Sequence, residues 1–225
     1  MKIIITESQY KRILKEEKEE KVLRIPSMRF FDNDWDLLQK FLKSKGDPPY
    51  SLGGNLDLRE TQIKSLGNLQ FVGGDLNLVG TSIKSLGNLQ SVGGDLNLRH
   101  TLIESLGNLE SVGGNLDLRQ TQSKSLGNLT SVGGDLTLYK TPIESLGNLK
   151  SVGGDLNLYK TPIESLGNLK SVVGNLELFG TPIESLGNLK SVGGFLNLPE
   201  TPLSTMYSKK QIRQMVDVGG KIYYY

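Results

Sequence analysis

The side chains best suited to binding recur every 20 residues, at one position of a repeated unit. The unit is numbered from the serine of "SVGGDLNLYKTPIESLGNLK", residues 151–170. Along the chain its ninth position holds Arg59, Val79, Arg99, Arg119, Tyr139, Tyr159, Phe179 and Pro199. Arginine and aromatic residues anchor many protein interfaces. Arg99, Arg119, Tyr139, Tyr159 and Phe179 are therefore the candidates for partner contact, and the alternative is that they stack along strands for stability alone.

A second set of polar side chains occupies the fifth and seventh positions. In the first seven units each pair contains one carboxylate, from Asp57, Asp75, Asp95, Asp117, Asp135, Asp155 and Glu177, and the other member is Asn or Thr. One carboxylate per unit is too few for a calcium site. We therefore expect no metal, with amides interleaved to relieve the repulsion between carboxylates, and a row of divalent cations is the alternative.

The residues that catalysis needs are not grouped in this sequence. The single histidine, His100, falls in a turn position that other units fill with Glu, Gly, Gln or Lys. A general base needs an orienting partner in a cleft, and no such set recurs or stands apart from the repeat. The chain has no cysteine, which excludes disulfides and thiolate metal sites. We expect no enzyme activity and no cofactor.

The charge balance also restricts the partners. The chain has 26 basic and 24 acidic residues, for a net charge of +2. Later units place Glu144, Glu164 and Glu184 among the basic residues, which interrupts any basic stripe and argues against nucleic acid as a partner. No apolar run reaches the length of a membrane span or of a secretion signal, so we expect no membrane insertion and no general secretion.

The units that must position these side chains follow each other without insertion from residue 51 to residue 206. Apolar residues fill positions 2, 6, 8, 13, 16 and 19, and a fixed period of this length is typical of stacked-repeat proteins. Positions 4 to 9 alternate polar and apolar, which predicts a strand with Leu156 and Leu158 inward and a parallel sheet from successive units. One column is interrupted, because Ser123 replaces the isoleucine of position 13 in a slot that we expect to be buried.

Position 11 and the glycine pair at positions 3 and 4 hold residues that are typical of turns. Position 11 is Thr in all eight copies, and we expect its hydroxyl to bond the chain of the next unit. Position 4 is always Gly, whereas position 3 is Gly except at Val173. This contrast predicts a positive φ or a close backbone approach at position 4, and a position 3 that merely tolerates glycine.

The order of apolar residues resembles the leucine-rich repeat over residues 51–206. The pattern is carried in one unit by Leu156, Leu158, Thr161, Ile163, Leu166 and Leu169, with Thr where that family more often has Asn or Cys. The resemblance implies a right-handed solenoid with a parallel sheet on one face and irregular or 3-10 segments on the other. Val152 stands four positions before Leu156 instead of three, which predicts a bulge near the glycine pair. The amino-acid sequence of the unit is most similar to those of uncharacterised proteins of tailed bacteriophages and their hosts. This resemblance implies that the protein is located in the cytoplasm of a bacterial or infected cell, or in a virion.

Both ends of the repeat change composition. We divide the chain into an N-terminal helical arm and cap (1–50), the solenoid (51–207) and a C-terminal cap helix with a final strand (208–225). Thr6 and Gln9 form a capping box for a charged arm, which is either a solvated helix or a docking segment. "WDLLQKFLKSKG" at 35–46 predicts a helix that covers the first unit.

The C-terminal segment is predicted to add one more turn. Ser208 and Gln211 form a capping box for a short helix, and "VGGKIYYY" aligns with the strand region of the repeat. The chain then ends in Tyr223, Tyr224 and Tyr225 on an exposed strand edge. Such an edge is either a terminal cap or a surface for self-assembly, because unpaired edges invite pairing.

These observations predict a noncatalytic protein-binding module that uses the outward face of its parallel sheet, with a protein partner whose identity the sequence does not give. The alternative is a structural or self-assembling component, such as part of a phage particle. The first hypothesis predicts a monomer, and the second predicts self-association through the tyrosine edge.

Overall fold

Each 20-residue unit forms one turn of a parallel β-solenoid and contributes two short strands. The structure, a computed structural model, describes residues 22–224. In the unit that begins at Ser151 the strands are Ser151–Val152 and Leu156–Asn157. Each strand pairs in parallel, without any shift of register, with the same positions of the turns before and after it. About seven such turns stack between residues 51 and 192.

The strands of the described residues form two separate sheets. The first sheet contains, in spatial order, β1 (Leu23–Ile25), β2 (Tyr50–Leu52), β4 (Leu69–Val72), β6 (Ser91–Val92), β8 (Ser111–Val112), β10 (Ser131–Val132), β12 (Ser151–Val152), β14 (Ser171–Val172), β16 (Ser191–Val192) and β18 (Asp217–Val218). The second sheet contains β3 (Leu56–Asp57), β5 (Leu76–Asn77), β7 (Leu96–Asn97), β9 (Leu116–Asp117), β11 (Leu136–Thr137), β13 (Leu156–Asn157), β15 (Leu176–Glu177), β17 (Leu196–Asn197) and β19 (Ile222–Tyr223).

The glycine pair separates the two sheets. The predicted strand is present at Leu156–Asn157, within positions 4 to 9, whereas the local bulge predicted near the glycine pair is replaced by a bend between two strands. The other strand of the turn, Ser151–Val152, was not predicted. The backbones of successive turns come so close here that a Cβ atom on Gly153 would overlap the carbonyl oxygen of Gly133. A Cβ atom on Gly154 would overlap the side chain of Asp135. Close approach therefore accounts for the glycine of position 4, whereas position 3 also accepts Val173, and neither position has a positive φ in the described turns. Val173 occupies position 3 with 64% of its surface exposed.

The apolar columns form one continuous core through the stack. Positions 2, 6, 8, 16 and 19 are buried in every described turn, as the sequence predicts. Ser123 is also fully buried, and its hydroxyl donates to the carbonyl of Ser125 at 3.0 Å. Because each turn exposes its apolar edges to its neighbours, burial depends on the stacking of turns.

The threonine of position 11 bonds its own turn and not the next one, contrary to expectation. The hydroxyl of Thr161 donates to the carbonyl of Leu158 at 2.8 Å, and the same bond recurs in the other turns. This contact closes the bend that leaves the second sheet, where the residue at position 10 has a positive φ. Position 10 and the glycine of position 17 are the two left-handed positions of the turn, with φ values of 52° for Lys160 and 55° for Gly167.

Before the first turn, the chain adds a strand and two helical segments. After β1 a 3-10 helix (Met28–Phe31) leads to α1 (Trp35–Ser44). The side chain of Asp34 accepts the N–H of Leu37 at 3.0 Å and starts α1. The predicted helix is confirmed, and its Leu38 and Leu42 are buried in the common core.

After the last complete turn, two short helices, α2 (Pro202–Met206) and α3 (Lys209–Met215), precede β18 and β19. The capping box of Ser208 and Gln211 is present. Val218 pairs with Val192 and Ile222 with Leu196, which confirms the predicted ninth strand region. The predicted arm with Thr6 and Gln9, and Tyr225, lie outside the described residues. None of the helices between residues 22 and 224 combines the length and apolar character needed to cross a bilayer.

Candidate functional site

Three aromatic side chains form a continuous stack on the outward side of the second sheet. Tyr139, Tyr159 and Phe179 occupy position 9 of successive turns, two residues after β11, β13 and β15. Their ring centroids are 5.0 Å apart in both steps, and the ring planes differ by 16° and 10°. This spacing is close to the ~4.8 Å separation of paired strands, so the sheet register itself stacks the rings. Neighbouring rings cover each other's facing surfaces, which leaves ring edges and the outer faces at the two ends of the stack for a partner.

Two lysines flank this stack, and sequence analysis did not include them among the candidates. Lys140 Nζ lies 5.1 Å from the ring centroid of Tyr139. Lys160 Nζ lies 5.4 Å from that of Tyr159 and 5.9 Å from that of Phe179. A hydrogen bond to the Tyr139 hydroxyl, with a smaller electrostatic contribution, raises the pKa of Lys140 above its ordinary value. The left-handed backbone at position 10 directs these lysines beside the aromatic residues of position 9.

The arginines of position 9 form a second surface with different chemistry. Arg119 Nε donates to Asp117 Oδ1 at 2.9 Å, and Arg99 Nε lies 3.9 Å from Asp117 Oδ2. The hydrogen bond to Asp117 raises the pKa of Arg119 above its ordinary value. Within residues 22–224, Arg99 Nε is buried without a hydrogen-bond partner. One carboxylate thus sits between two guanidinium groups, which weakens this half of the column as an anion-binding surface.

The carboxylates and amides of position 5 form a ladder along the stack. Asp135 Oδ1 accepts the backbone N–H of Asp155 at 2.7 Å, and Asp155 Oδ1 accepts that of Asn175 at 2.7 Å. Asn115 plays the same part toward Asp135. Because Asp and Asn offer the same acceptor oxygen, the position accepts either residue.

The side chains of position 7 act within their own turn. Asn157 Oδ1 accepts the N–H of Tyr159 at 3.0 Å, and Glu177 Oε1 accepts that of Phe179 at 2.9 Å. These bonds fix the backbone that carries the aromatic stack. In the part of the chain that the structure describes, no three His, Cys, Asp or Glu side chains are grouped closely enough to hold a metal ion.

The remaining candidates are dispersed. His100 lies on an exposed turn with φ 56°. Tyr223 is 41% exposed, and its ring meets Phe195 edge-on with centroids 5.7 Å apart. Tyr224 turns back toward the helices, where its hydroxyl donates to the carbonyl of Tyr207 at 2.7 Å. Tyr224 is therefore half-buried and tied to its own chain.

Comparison of the chain with protein-family models, with curated proteins and with solved structures finds no match in any of the three. The site is therefore interpreted from its own geometry. Its chemically distinct part is the aromatic column, defined as Tyr139, Tyr159 and Phe179 with the flanking Lys140 and Lys160.

Proposed function

We propose that the chain is a noncatalytic protein-binding module and that the aromatic column is its contact surface. The observation that carries this proposal is the stack of three aromatic rings at 5.0 Å spacing, outward on a strand-supported surface. Position 9 is an outward column whose residue type changes along the repeat, as positions 10, 12, 14 and 20 also do, whereas the apolar core columns hardly vary. Variable outward positions are where a repeat protein acquires a specific partner.

The geometry supports a flat contact that is already organised before binding. Each ring is stacked on at least one neighbour, and side chains of position 7 also hold the backbone of Tyr159 and Phe179. Little side-chain freedom would therefore be lost on association. Tyr139, at one end of the stack, is 36% exposed. The ammonium groups of Lys140 and Lys160 favour a partner whose apolar contact area is bordered by carboxylates.

The proposal also includes the handedness of the solenoid, the class of its repeat and the helices at its ends. We propose a right-handed, leucine-rich-repeat-like solenoid in which α1 covers one end and α2 with α3 the other. The order of leucines within each unit and the burial of Leu38, Leu42 and Ile212 support this assignment. A bacterial or infected-cell cytoplasm, or a virion, is the proposed location, and it rests on the wording of the repeat alone.

A comparison of two triple variants tests the contact surface. In the first, Tyr139→Ala, Tyr159→Ala and Phe179→Ala remove the rings. In the matched control, Ser131→Ala, Ser151→Ala and Ser171→Ala change the outward side of the first sheet in the same turns. Both variants and the wild type are immobilised, exposed to lysate of the native host and compared by quantitative mass spectrometry, after circular dichroism has verified folding.

We expect at least one protein to be retained by the wild type and the serine control and lost from the aromatic variant. That protein is then purified and titrated against all three chains. Equal recovery of every protein on the aromatic variant and the wild type would refute the proposed surface.

A further inference from the structure

Among the hydrogen bonds that join the turns of the first sheet, two lie at the glycine pair and repeat along the stack. The N–H of position 3 donates to the carbonyl of position 2 in the preceding turn, as Gly219 does to Val192 at 2.9 Å. The N–H of position 4 donates to the carbonyl of position 4 in the preceding turn, as Gly220 does to Gly194 at 2.9 Å. A tenth turn would need the carbonyls of Val218 and Gly220 as its acceptors at the glycine pair.

Those two carbonyls are already occupied by one side chain. Arg213 Nη1 donates to the carbonyl of Val218 at 2.6 Å, and Nη2 donates to that of Gly220 at 2.7 Å. The planar guanidinium thus replaces the two N–H groups that a following turn would supply. Arg213 is placed there by α3, which is anchored through the fully buried Ile212.

At the opposite end of the first sheet, as far as residues 22–224 show it, the complementary donor is missing. Ile25 pairs with Leu52, and its carbonyl accepts the N–H of Gly53 at 2.8 Å, so Ile25 stands at position 2 of the terminal strand. The next residue, at position 3, is Pro26, which has no backbone N–H. The bond from position 3 to position 2 thus lacks its donor at one end of the stack and has its acceptor occupied at the other.

The two sheets also do not end at the same turn of the stack. Among the described residues, β1 has no counterpart in the second sheet, which begins one turn later with β3. A second copy that paired β18 with β1 would leave β19 opposite an empty strand position. Two copies stacked end to end would therefore form new hydrogen bonds in only one of the two sheets.

We propose that Arg213 and Pro26 are end-blocking residues that prevent one copy of the chain from extending the first sheet of another. The device matters because both ends of a parallel solenoid present edges complementary to each other. End-blocking keeps the protein monomeric, so that the outward surface of the second sheet belongs to a single copy of the chain.

The test measures the solution mass of the full chain by sedimentation equilibrium across a range of concentrations. The variants are Arg213→Ala with Pro26→Ala, which restores one donor and uncovers two acceptors, and Lys210→Ala, which removes the same charge from an exposed site on the same helix. If the double alanine variant does not melt cooperatively, Arg213→Lys with Pro26→Ala replaces it, because lysine keeps the charge without the two-pronged donor.

We expect the wild type and Lys210→Ala to keep the monomer mass of 24.7 kDa at every concentration. The weight-average mass of the double variant should rise with concentration by about twofold or more, because head-to-tail contacts do not close. A double variant that stays monomeric would overturn the proposal, and so would a wild type whose mass rises with concentration.

Discussion

The carboxylate Oδ1 of Asp135 accepts the backbone N–H of Asp155, one turn further along the stack, at 2.7 Å. Each such bond joins a side chain to the next turn at the bend between the two sheets. The contact needs only an acceptor oxygen, and the charge of Asp135 adds repulsion toward the neighbouring Asp155.

Asp135→Asn should therefore be as stable as the wild type or slightly more stable, whereas Asp135→Ala should lose about 0.5 to 1 kcal/mol. Asn55 and Asp75 already show the favourable arrangement, in which the amide of Asn55 donates to Asp75 Oδ2 at 3.2 Å. Urea unfolding of both variants measures the difference. A melting temperature that calcium raises in the wild type but not in Asp135→Asn would contradict this structural role.

Ser123→Ile should raise the free energy of unfolding by about 1 kcal/mol or more. The slot is buried between Ile103 and Ile143, so the larger side chain gains apolar burial that outweighs the lost hydrogen bond to Ser125. Gln122→Ile, at the exposed neighbouring position, is the matched control and should change stability little. A lower melting temperature for Ser123→Ile would show that the slot is too small for isoleucine.

Gln120→Gly should stabilise the chain by about 0.5 to 1 kcal/mol, because Gln120 has φ 60° and glycine adopts this conformation without a steric penalty. Gly80 and Gly180 already occupy the same position in other turns. Gln90→Gly, at position 20, serves as the control and should destabilise. Thermal unfolding of both variants measures the change in stability. A lower melting temperature for Gln120→Gly would contradict the left-handed conformation of position 10.

Tyr50→Phe tests the pH dependence of the first turn. The buried Tyr50 hydroxyl donates to the carbonyl of Leu66 at 2.9 Å, and burial raises the pKa of Tyr50 well above its ordinary value. The unfolded chain releases this proton first, near pH 10, so the free energy of unfolding should fall as the pH rises above about 10.

Tyr50→Phe should be less stable at neutral pH by about 1 kcal/mol, because the Leu66 carbonyl loses its donor. Its stability should also fall less steeply above pH 10 than that of the wild type. Unfolding curves at several alkaline pH values measure both effects. Equal slopes for the two proteins would mean that Tyr50 does not control the alkaline response.

The stacking and the core follow directly from the sequence, because leucines at fixed positions in every unit have only one way to be buried together. The pairing of Val218 with Val192 could be predicted for the same reason. The two-sheet cross-section could not, since the alternation of polar and apolar residues continues across the bend at Gly153 and Gly154.

The geometry of position 9 could be predicted in part. The structure places Arg99, Arg119, Tyr139, Tyr159 and Phe179 on one outward column, as their shared position in the unit predicts, and their contact with a partner stays a prediction. Lys140 and Lys160 were missed, because their approach to the rings depends on the left-handed backbone of position 10. The sequence contains one indication of the left-handed backbone, since Gly80 and Gly180 also stand at position 10.

Site-specific photo-cross-linking tests whether the aromatic column contacts a protein partner. The chain carries p-benzoylphenylalanine in place of Tyr159 in one sample and in place of Ser151, outward on the first sheet of the same turn, in the other. After irradiation in lysate of the source organism, the proposed contact surface predicts a discrete cross-linked protein from position 159 and not from position 151. No product from position 159, or equal products from both positions, would contradict the account.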